Sequence, residues 1–363
     1  MNIPERLLLG PGPSPVAPRV MDAMRAPVLS HLDPDMMRIL DDVRTRLGRL
    51  FRAPAEAFAF AVSGTGTSGM EAAVANITAP GMRAVVIVNG YFGDRLAEML
   101  ARYGASVHRV EGEWGRACDP EAVRKALDGG EADIVAIVHA ETSTGVLNPV
   151  EEITRLASGR GALTIVDAVT SLGAVPVETA AWGVDVCYSC TQKGLGAPSG
   201  LAPIMFSARA LERRTACRSF YLDVSLLEAY WVQRKYHHTI SAPLIYALRE
   251  ALVAIDEEGL DERLERHRRT HQTLVAALPH LGLSLLPPEG ERLWTLNAVR
   301  VPDGVDEALV RRRLLDEHGI EIGAGLGPLA GRIWRIGLMG SGSTVENVER
   351  LLGGLHAIMA TRP

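Results

Sequence analysis

The chain has 363 residues, 47% of them apolar and 22% charged, with a formal net charge of -5. This is enough apolar material for a sizeable core and too much for disorder, and the length favours a large domain plus a smaller one. The acidic balance offers no basic field to nucleic acid or an anionic membrane, no apolar run approaches the roughly 20 residues of a membrane span, and the N-terminus lacks a signal-peptide pattern, so a cytoplasmic protein without nucleic-acid or membrane partners is expected.

Residues 1–16, which include Gly10-Pro11-Gly12-Pro13, are too rich in proline and glycine for a helix and read as an extended arm. A large domain over 17–259 follows. Within it, apolar runs at 58–62, 84–88, 106–110, 134–138, 163–166, 184–189 and 203–206 read as strands. They are taken as apolar on both faces, as buried, mostly parallel strands are. Helical patterns at 66–76, 94–102, 120–127 and 150–156 separate them. The alternation predicts a doubly wound α/β domain with a mostly parallel seven-stranded sheet. Helices are expected to continue over 243–257 and 261–278. A smaller α+β domain is then expected over 260–363, with strands at 283–286, 295–301, 320–323 and 333–337 and helices near 306–317 and 344–359.

Ligands of open parallel sheets bind outside the carboxyl ends of the strands. Polar residues follow five of the expected strands there. They are the run 63–69 (Ser-Gly-Thr-Gly-Thr-Ser-Gly), then 89–93 with Phe92, then 141–145 with Thr142, then Asp167, then Thr191-Gln192-Lys193. Lys193 stands out for a second reason. Of the 38 basic residues only Lys125, Lys193 and Lys235 are lysines. Lysine can lose its proton and act as a nucleophile, which arginine effectively cannot.

Two other readings of these motifs compete. The run 63–69 is formally G-x-G-x-x-G, but a dinucleotide site would carry a ribose-binding acid at the end of the next strand, where Asn89 stands. Glycines and hydroxyls at a helix N-terminus also suit a single phosphate, or a plain strand-to-helix turn. Cys187 and Cys190 form a C-x-x-C. In a strand they would face opposite sides, and no second pair exists, so no metal site is expected. Pyridoxal phosphate would use all the rim groups at once: an amine for its aldehyde, a carboxylate for its ring nitrogen, an aromatic for its ring and a helix start for its phosphate.

With these residues in hand the chain resembles the class V pyridoxal-phosphate aminotransferases of fold type I. Within them it is similar to the alanine–glyoxylate, serine–glyoxylate and serine–pyruvate group. The resemblance runs nearly end to end. It rests on Gly10-Pro11-Gly12-Pro13, Ser63-Gly64-Thr65-Gly66, Glu141-Thr142-Ser143-Thr144-Gly145, Asp167-Ala168-Val169-Thr170-Ser171, Thr191-Gln192-Lys193, Tyr236-His237-His238-Thr239 and Arg335-Ile336-Gly337.

The resemblance implies that Lys193 is the Schiff-base lysine and the acid and base of the proton shift, and that Asp167 pairs with the pyridine nitrogen. Phe92 stacks on the ring, where some relatives carry Trp. Thr65, Gly66, Thr67 and Gln192 hold the phosphate, although some relatives have His at the position of Thr67. Thr142 lies near the phenolic oxygen. Tyr236 and Thr239 reach the cofactor of a neighbouring subunit, which implies a homodimer with shared sites. Arg335 clamps the substrate carboxylate, although a structural acid partner is the bland alternative. His31 either approaches the site or is a turn or cap residue, and His237 and His238 receive no catalytic role. The implied reaction moves an amino group between alanine or serine and glyoxylate or pyruvate. Aminoethylphosphonate or ureidoglycine transamination stays open, with cysteine desulfuration and nicotinamide-dependent dehydrogenation as more distant readings.

Overall fold

The computed structural model describes residues 3–360. Its centre is a seven-stranded sheet of β1 (Phe58–Gly64), β2 (Arg83–Val88), β3 (Ser106–Glu111), β4 (Ile134–Val138), β5 (Leu163–Asp167), β6 (Val186–Tyr188) and β7 (Gly200–Phe206). The spatial order is β1-β7-β6-β5-β4-β2-β3. Only β7 runs against its neighbours; the other adjacent pairs are parallel. Six strands therefore deliver their carboxyl ends to one rim. Strand β4, Ile-Val-Ala-Ile-Val, is buried at every residue, as a strand covered on both faces must be. Strand β3 differs from that expectation. It is the sheet's edge, and of its six residues only Val110 is buried.

Five helices matter for the site or its support: α1 (Pro34–Leu50), α2 (Gly66–Ile77), α3 (Tyr91–Arg102), α4 (Ala242–Glu258) and α5 (Leu260–Ala277). Helix α1 was not read from the sequence. Asp33 caps it by accepting the Asp35 N–H at 2.8 Å, and Pro34 opens it. Met36, Leu40, Val43 and Leu47 recur at helical spacing, are completely buried, and seal α1 against α4 and β1. Short helices at Pro18–Ala23, Ala208–Glu212 and Val224–Trp231 were also not read.

A second core gathers Leu274, Val299, Leu314, Trp334, Ile336 and Leu351 around a three-stranded antiparallel sheet, with Ile333–Gly337 between Leu296–Arg300 and Gly323–Ala324. The strand expected over 283–286 reduces to one bridge, Leu285 to Val299, because Pro287 and Pro288 cannot continue a ladder. The N-terminal arm belongs to this core. Leu7–Leu8 pairs in parallel with Ile320–Glu321, and Leu9 is fully buried in it. Among the described residues no helix is long and apolar enough to cross a membrane.

Candidate active site

Lys193 lies five residues beyond the end of β6, in a loop with little freedom. The Ser14 N–H bonds the Gln192 carbonyl at 2.9 Å, and the Ser14 hydroxyl bonds the Lys193 carbonyl at 2.8 Å. Arg263, on α5, donates to the Gly194 carbonyl at 2.8 Å. The amine itself donates to the Pro11 carbonyl in the arm. Gly12 has φ +109°, and a Cβ there would stand 2.4 Å from the lysine nitrogen, so only glycine lets the arm cross this close. Burial is the main cause that lowers the Lys193 pKa, and the nearby Arg335 charge adds to it.

Asp167 ends β5 beside Tyr188 of β6. One carboxylate oxygen accepts the Val169 N–H and the other the Tyr188 phenol, each at 2.8 Å. Burial pushes the Asp167 pKa up to about 7. A cation brought against this carboxylate would reverse that shift.

The run after β1 opens α2 with Thr65 at the cap position, where its side chain makes no cap bond. The first N–H groups of the helix thus receive no acceptor from the cap residue, a condition that suits an anion there. Thr65, Gly66 and Thr67 line a cavity of about 170 Å³ together with Phe92, Thr142, Asp167, Gln192 and Lys193. Arg95, Met70, Val169 and Cys190 complete its wall. The side-chain oxygen of Gln192 is buried without a partner, and turning the amide would present N–H donors instead. Burial holds the Cys190 thiol protonated, with its pKa raised to about 12.

Phe92 is placed by a residue to which the sequence reading gave no role. Glu141 is completely buried and accepts the Gly93 N–H at 3.2 Å, the Phe92 N–H at 3.5 Å and the Ser143 hydroxyl at 2.5 Å. It thereby acts as the acid at the start of α3. Gly90 is required beside it, since a Cβ there would lie 2.3 Å from the Glu141 side chain. The available signal was an acid just past a wholly buried strand. Thr142 follows, sharing a 2.5 Å hydroxyl–hydroxyl bond with Thr170.

Arg335 comes from the middle strand of the second core and is 7% exposed. Its Nε donates to the Ala324 carbonyl at 2.6 Å and one terminal nitrogen to the Thr142 carbonyl at 3.4 Å. Among the described residues no carboxylate lies within ion-pair distance of it, and the half-buried Glu321 and buried Glu141 act on it only at longer range. Burial lowers its pKa to about 10. A buried guanidinium held only by carbonyls retains unused capacity for an anion.

Tyr236 and Thr239 stand apart from this cavity. Both are exposed, Tyr236 by 64%. The His31 ring lies 5.0 Å from the Tyr236 ring, in a turn whose carbonyl accepts the Tyr230 phenol at 3.0 Å. His31 does not line the cavity, and Asp33, not His31, caps α1. His238 contacts the Ser63 hydroxyl at 3.1 Å and His237 at 2.8 Å. Burial, first, and the neighbouring His237 lower its pKa to about 4.

The aminotransferase class-V family matches residues 6–351. The chain belongs to the class V aminotransferases. Class V aminotransferases use pyridoxal phosphate, and the donor set here fits that cofactor: an amine, a carboxylate, an aromatic and an open helix start around one cavity. The alanine–glyoxylate aminotransferase of Nostoc sp. superposes with a TM-score of 0.96 at 46% identity, covering 99% of this chain and 96% of that one. The ureidoglycine–glyoxylate aminotransferase of Bacillus subtilis superposes equally well, with a TM-score of 0.96 at 39% identity and coverage of 99% and 94%. The alanine–glyoxylate aminotransferase of Drosophila melanogaster is 38% identical over 366 residues, covering 98% of this chain and 93% of that protein. A cysteine desulfurase of Thermococcus onnurineus shares the fold, with a TM-score of 0.77, at only 17% identity.

Proposed function

We propose that this enzyme moves an amino group from a small α-amino acid, alanine or serine, to glyoxylate or pyruvate. The observation that carries the reading is Arg335, a buried cation held by carbonyls, one of them that of the cavity residue Thr142, with no carboxylate paired directly to it among the described residues. A substrate carboxylate supplies the missing charge. Glyoxylate is favoured as acceptor because it appears in the names of both the alanine and the ureidoglycine relatives.

Bound pyridoxal phosphate supplies an aldehyde that captures the amino group and a ring that takes up negative charge from the substrate Cα. Lys193 would hold the cofactor and, as a free amine, would take the proton from the substrate Cα and deliver one to the carbon of the former aldehyde. Burial, by disfavouring its charged form, suits that amine to act as a base. Asp167 holds the ring nitrogen, and Tyr188 orients Asp167. Thr65, Gly66, Thr67 and Gln192 would hold the phosphate, Phe92 would stack on the ring, and Thr142 would serve the phenolic oxygen. Arg335 grips the carboxylate and so fixes the direction of the Cα–H bond.

Tyr236 and Thr239 are assigned to the site of a second subunit. Their exposure, beside Phe220 at 73% and Tyr221 at 42%, is the supporting observation. A homodimer follows, and sedimentation of the purified protein as a monomer would remove this part. A cytoplasmic enzyme is consistent with the charge and with four free cysteines.

The deciding experiment is borohydride reduction of the holoenzyme followed by peptide mapping, with Lys193→Ala beside it. The label should fall on Lys193, and the variant should lose both the visible absorbance and turnover. A label at any other residue, or normal turnover by the variant, rejects the assignment. A panel of alanine, serine, aminoethylphosphonate and ureidoglycine against glyoxylate and pyruvate then separates donors. The Bacillus subtilis relative keeps ureidoglycine as the second reading.

A further inference from the structure

Arg95, one turn into α3, has no counterpart among the roles described above. Its guanidinium lies 5.2 Å from the ring centres of both Tyr91 and Phe92. One terminal nitrogen donates to the Thr67 hydroxyl oxygen at 3.2 Å. The acids around it are engaged elsewhere: Asp94 with Arg109 at 2.7 Å, Glu98 with Arg102 at 2.5 Å, and Glu71 with the Tyr103 phenol at 3.0 Å. Among the described residues that line the cavity, Arg95 and Lys193 are the only cations.

Two consequences follow from elementary chemistry. A guanidinium only donates, so Thr67 must accept through its oxygen, and its own hydroxyl proton is left to point elsewhere. A cation packed on the faces of two rings also holds those rings and itself in place. We infer that Arg95 is the positioning residue of the phosphate end of the site: it fixes the Thr67 hydroxyl as a donor to the cofactor phosphate and supplies the positive charge that this end otherwise lacks. Lys193 cannot fill that role, because its amine is committed to the aldehyde. The inference rests on the reading of this cavity as the cofactor site.

The test compares pyridoxal phosphate with pyridoxal, which lacks the phosphate, on apoenzyme prepared by cofactor removal. Affinities are measured by equilibrium dialysis for wild type, Arg95→Met, Arg95→Lys, Thr67→Val and the double variant Arg95→Met/Thr67→Val. Hydrogen bonds involving charge carry enough energy that Arg95→Met should weaken pyridoxal phosphate about tenfold or more and pyridoxal, which loses only the support of the Phe92 ring, several-fold less. Arg95→Lys should recover part of the loss, and the Arg95→Met effect should shrink in the Thr67→Val background. Inorganic phosphate alone should raise the melting temperature of the wild-type apoenzyme and not of Arg95→Met. Equal weakening of both ligands, or no weakening of either, overturns the inference, as does an Arg95→Lys variant no better than Arg95→Met. Borohydride labelling of wild-type holoenzyme keeps the two levels apart: a label away from Lys193 sinks the reading of the cavity itself, whereas a label on Lys193 with unaltered Arg95→Met affinity sinks only the role of Arg95.

Discussion

Across the parallel pair β5 and β6, the Tyr188 phenol donates to the Asp167 carboxylate at 2.8 Å while the Val169 N–H takes the other oxygen at the same distance. Burial outweighs these two donors and leaves the acid with a pKa of about 7, so with no cation against it the acid is part-protonated at neutral pH. A ring N–H⁺ placed against it would restore the carboxylate. Asp167→Asn removes that charge while keeping the shape. We expect kcat to fall roughly 10²-fold or more, the scale on which a lost electrostatic contact to developing charge is felt. Single-turnover decay of the bound-cofactor absorbance with alanine measures it; an unchanged rate would remove Asp167 from the chemistry.

Tyr188→Phe asks a different question of the same pair. It leaves a buried carboxylate oxygen without its donor, at a cost of about 1–3 kcal/mol. Urea unfolding of the apoenzyme should show that loss in the midpoint with an unchanged slope. Turnover should fall much less than in Asp167→Asn, because the tyrosine orients the acid and does not replace it.

Arg335→Ala tests the carboxylate clamp. A charge-assisted bidentate contact supports a loss of about 30-fold or more in kcat/KM for alanine, with the cofactor retained. Arg335→Lys should recover little, because an ammonium cannot present the planar fork. Titration with alanine and with 1-aminoalkanes, which lack the carboxylate, would separate the two accounts: the variant should lose discrimination between them.

What the sequence made legible and what it hid divide along a physical line. Lys193, Asp167 and Phe92 were readable because each follows a strand whose direction the α/β alternation dictates, and the structure gathers them around one cavity. Arg335 was readable as an arginine inside an apolar strand. Glu141 and Arg95 were not, because each acts across the fold: Glu141 reaches the N–H of Gly93, 48 residues earlier, and Arg95 the hydroxyl of Thr67, 28 residues earlier. Spacing along a chain carries no signal for such contacts. Tyr236 and Thr239 rest on the resemblance and on their exposure, since nothing in one chain brings them to the cavity. Helix α1 is a different case. Its start at Asp33-Pro34 and its apolar spacing are present in the sequence. Leu283 to Leu286 fails as a strand for a local reason, the two prolines that follow.

Glu141 can be tested apart from catalysis. Glu141→Ala strands the donors of Gly93, Phe92 and Ser143 in a buried place, and a loss of about 3 kcal/mol is the expected scale. Burial already raises the pKa of this acid, so a neutral isostere is well tolerated electrostatically. Glu141→Gln should recover only part of the stability, because one amide oxygen replaces two accepting carboxylate oxygens and its NH2 group must face either the Gly93 N–H or the Ser143 and Phe92 donors. If both variants unfold at the wild-type urea midpoint, the cap contributes nothing and the placement of Phe92 needs another cause.

Acid should weaken the fold through the buried His139 and His267 and, to a smaller degree, the half-buried His238. Burial lowers His139 and His238 to about 4 and His267 to about 3, against an ordinary 6.5. Each is neutral when folded and takes up a proton when unfolded throughout the window below 6.5. Stability from these groups is therefore fully present above about pH 6.5 and is lost as pH falls toward 4, at up to about 1.4 kcal/mol per pH unit for each of His139 and His267 and less for the partly solvated His238. Asp167 acts with the opposite sign in the apoenzyme. Its raised pKa favours the folded state as pH falls from about 7 toward 3.8, and it offsets one histidine over that range. His139, whose ring contacts the Ser171 hydroxyl at 3.0 Å, is the cleanest probe. Urea midpoints at pH 7.5, 6 and 5 should fall steadily in the wild type and less steeply in His139→Gln. Identical slopes for the two proteins would show that His139 carries no part of the acid sensitivity.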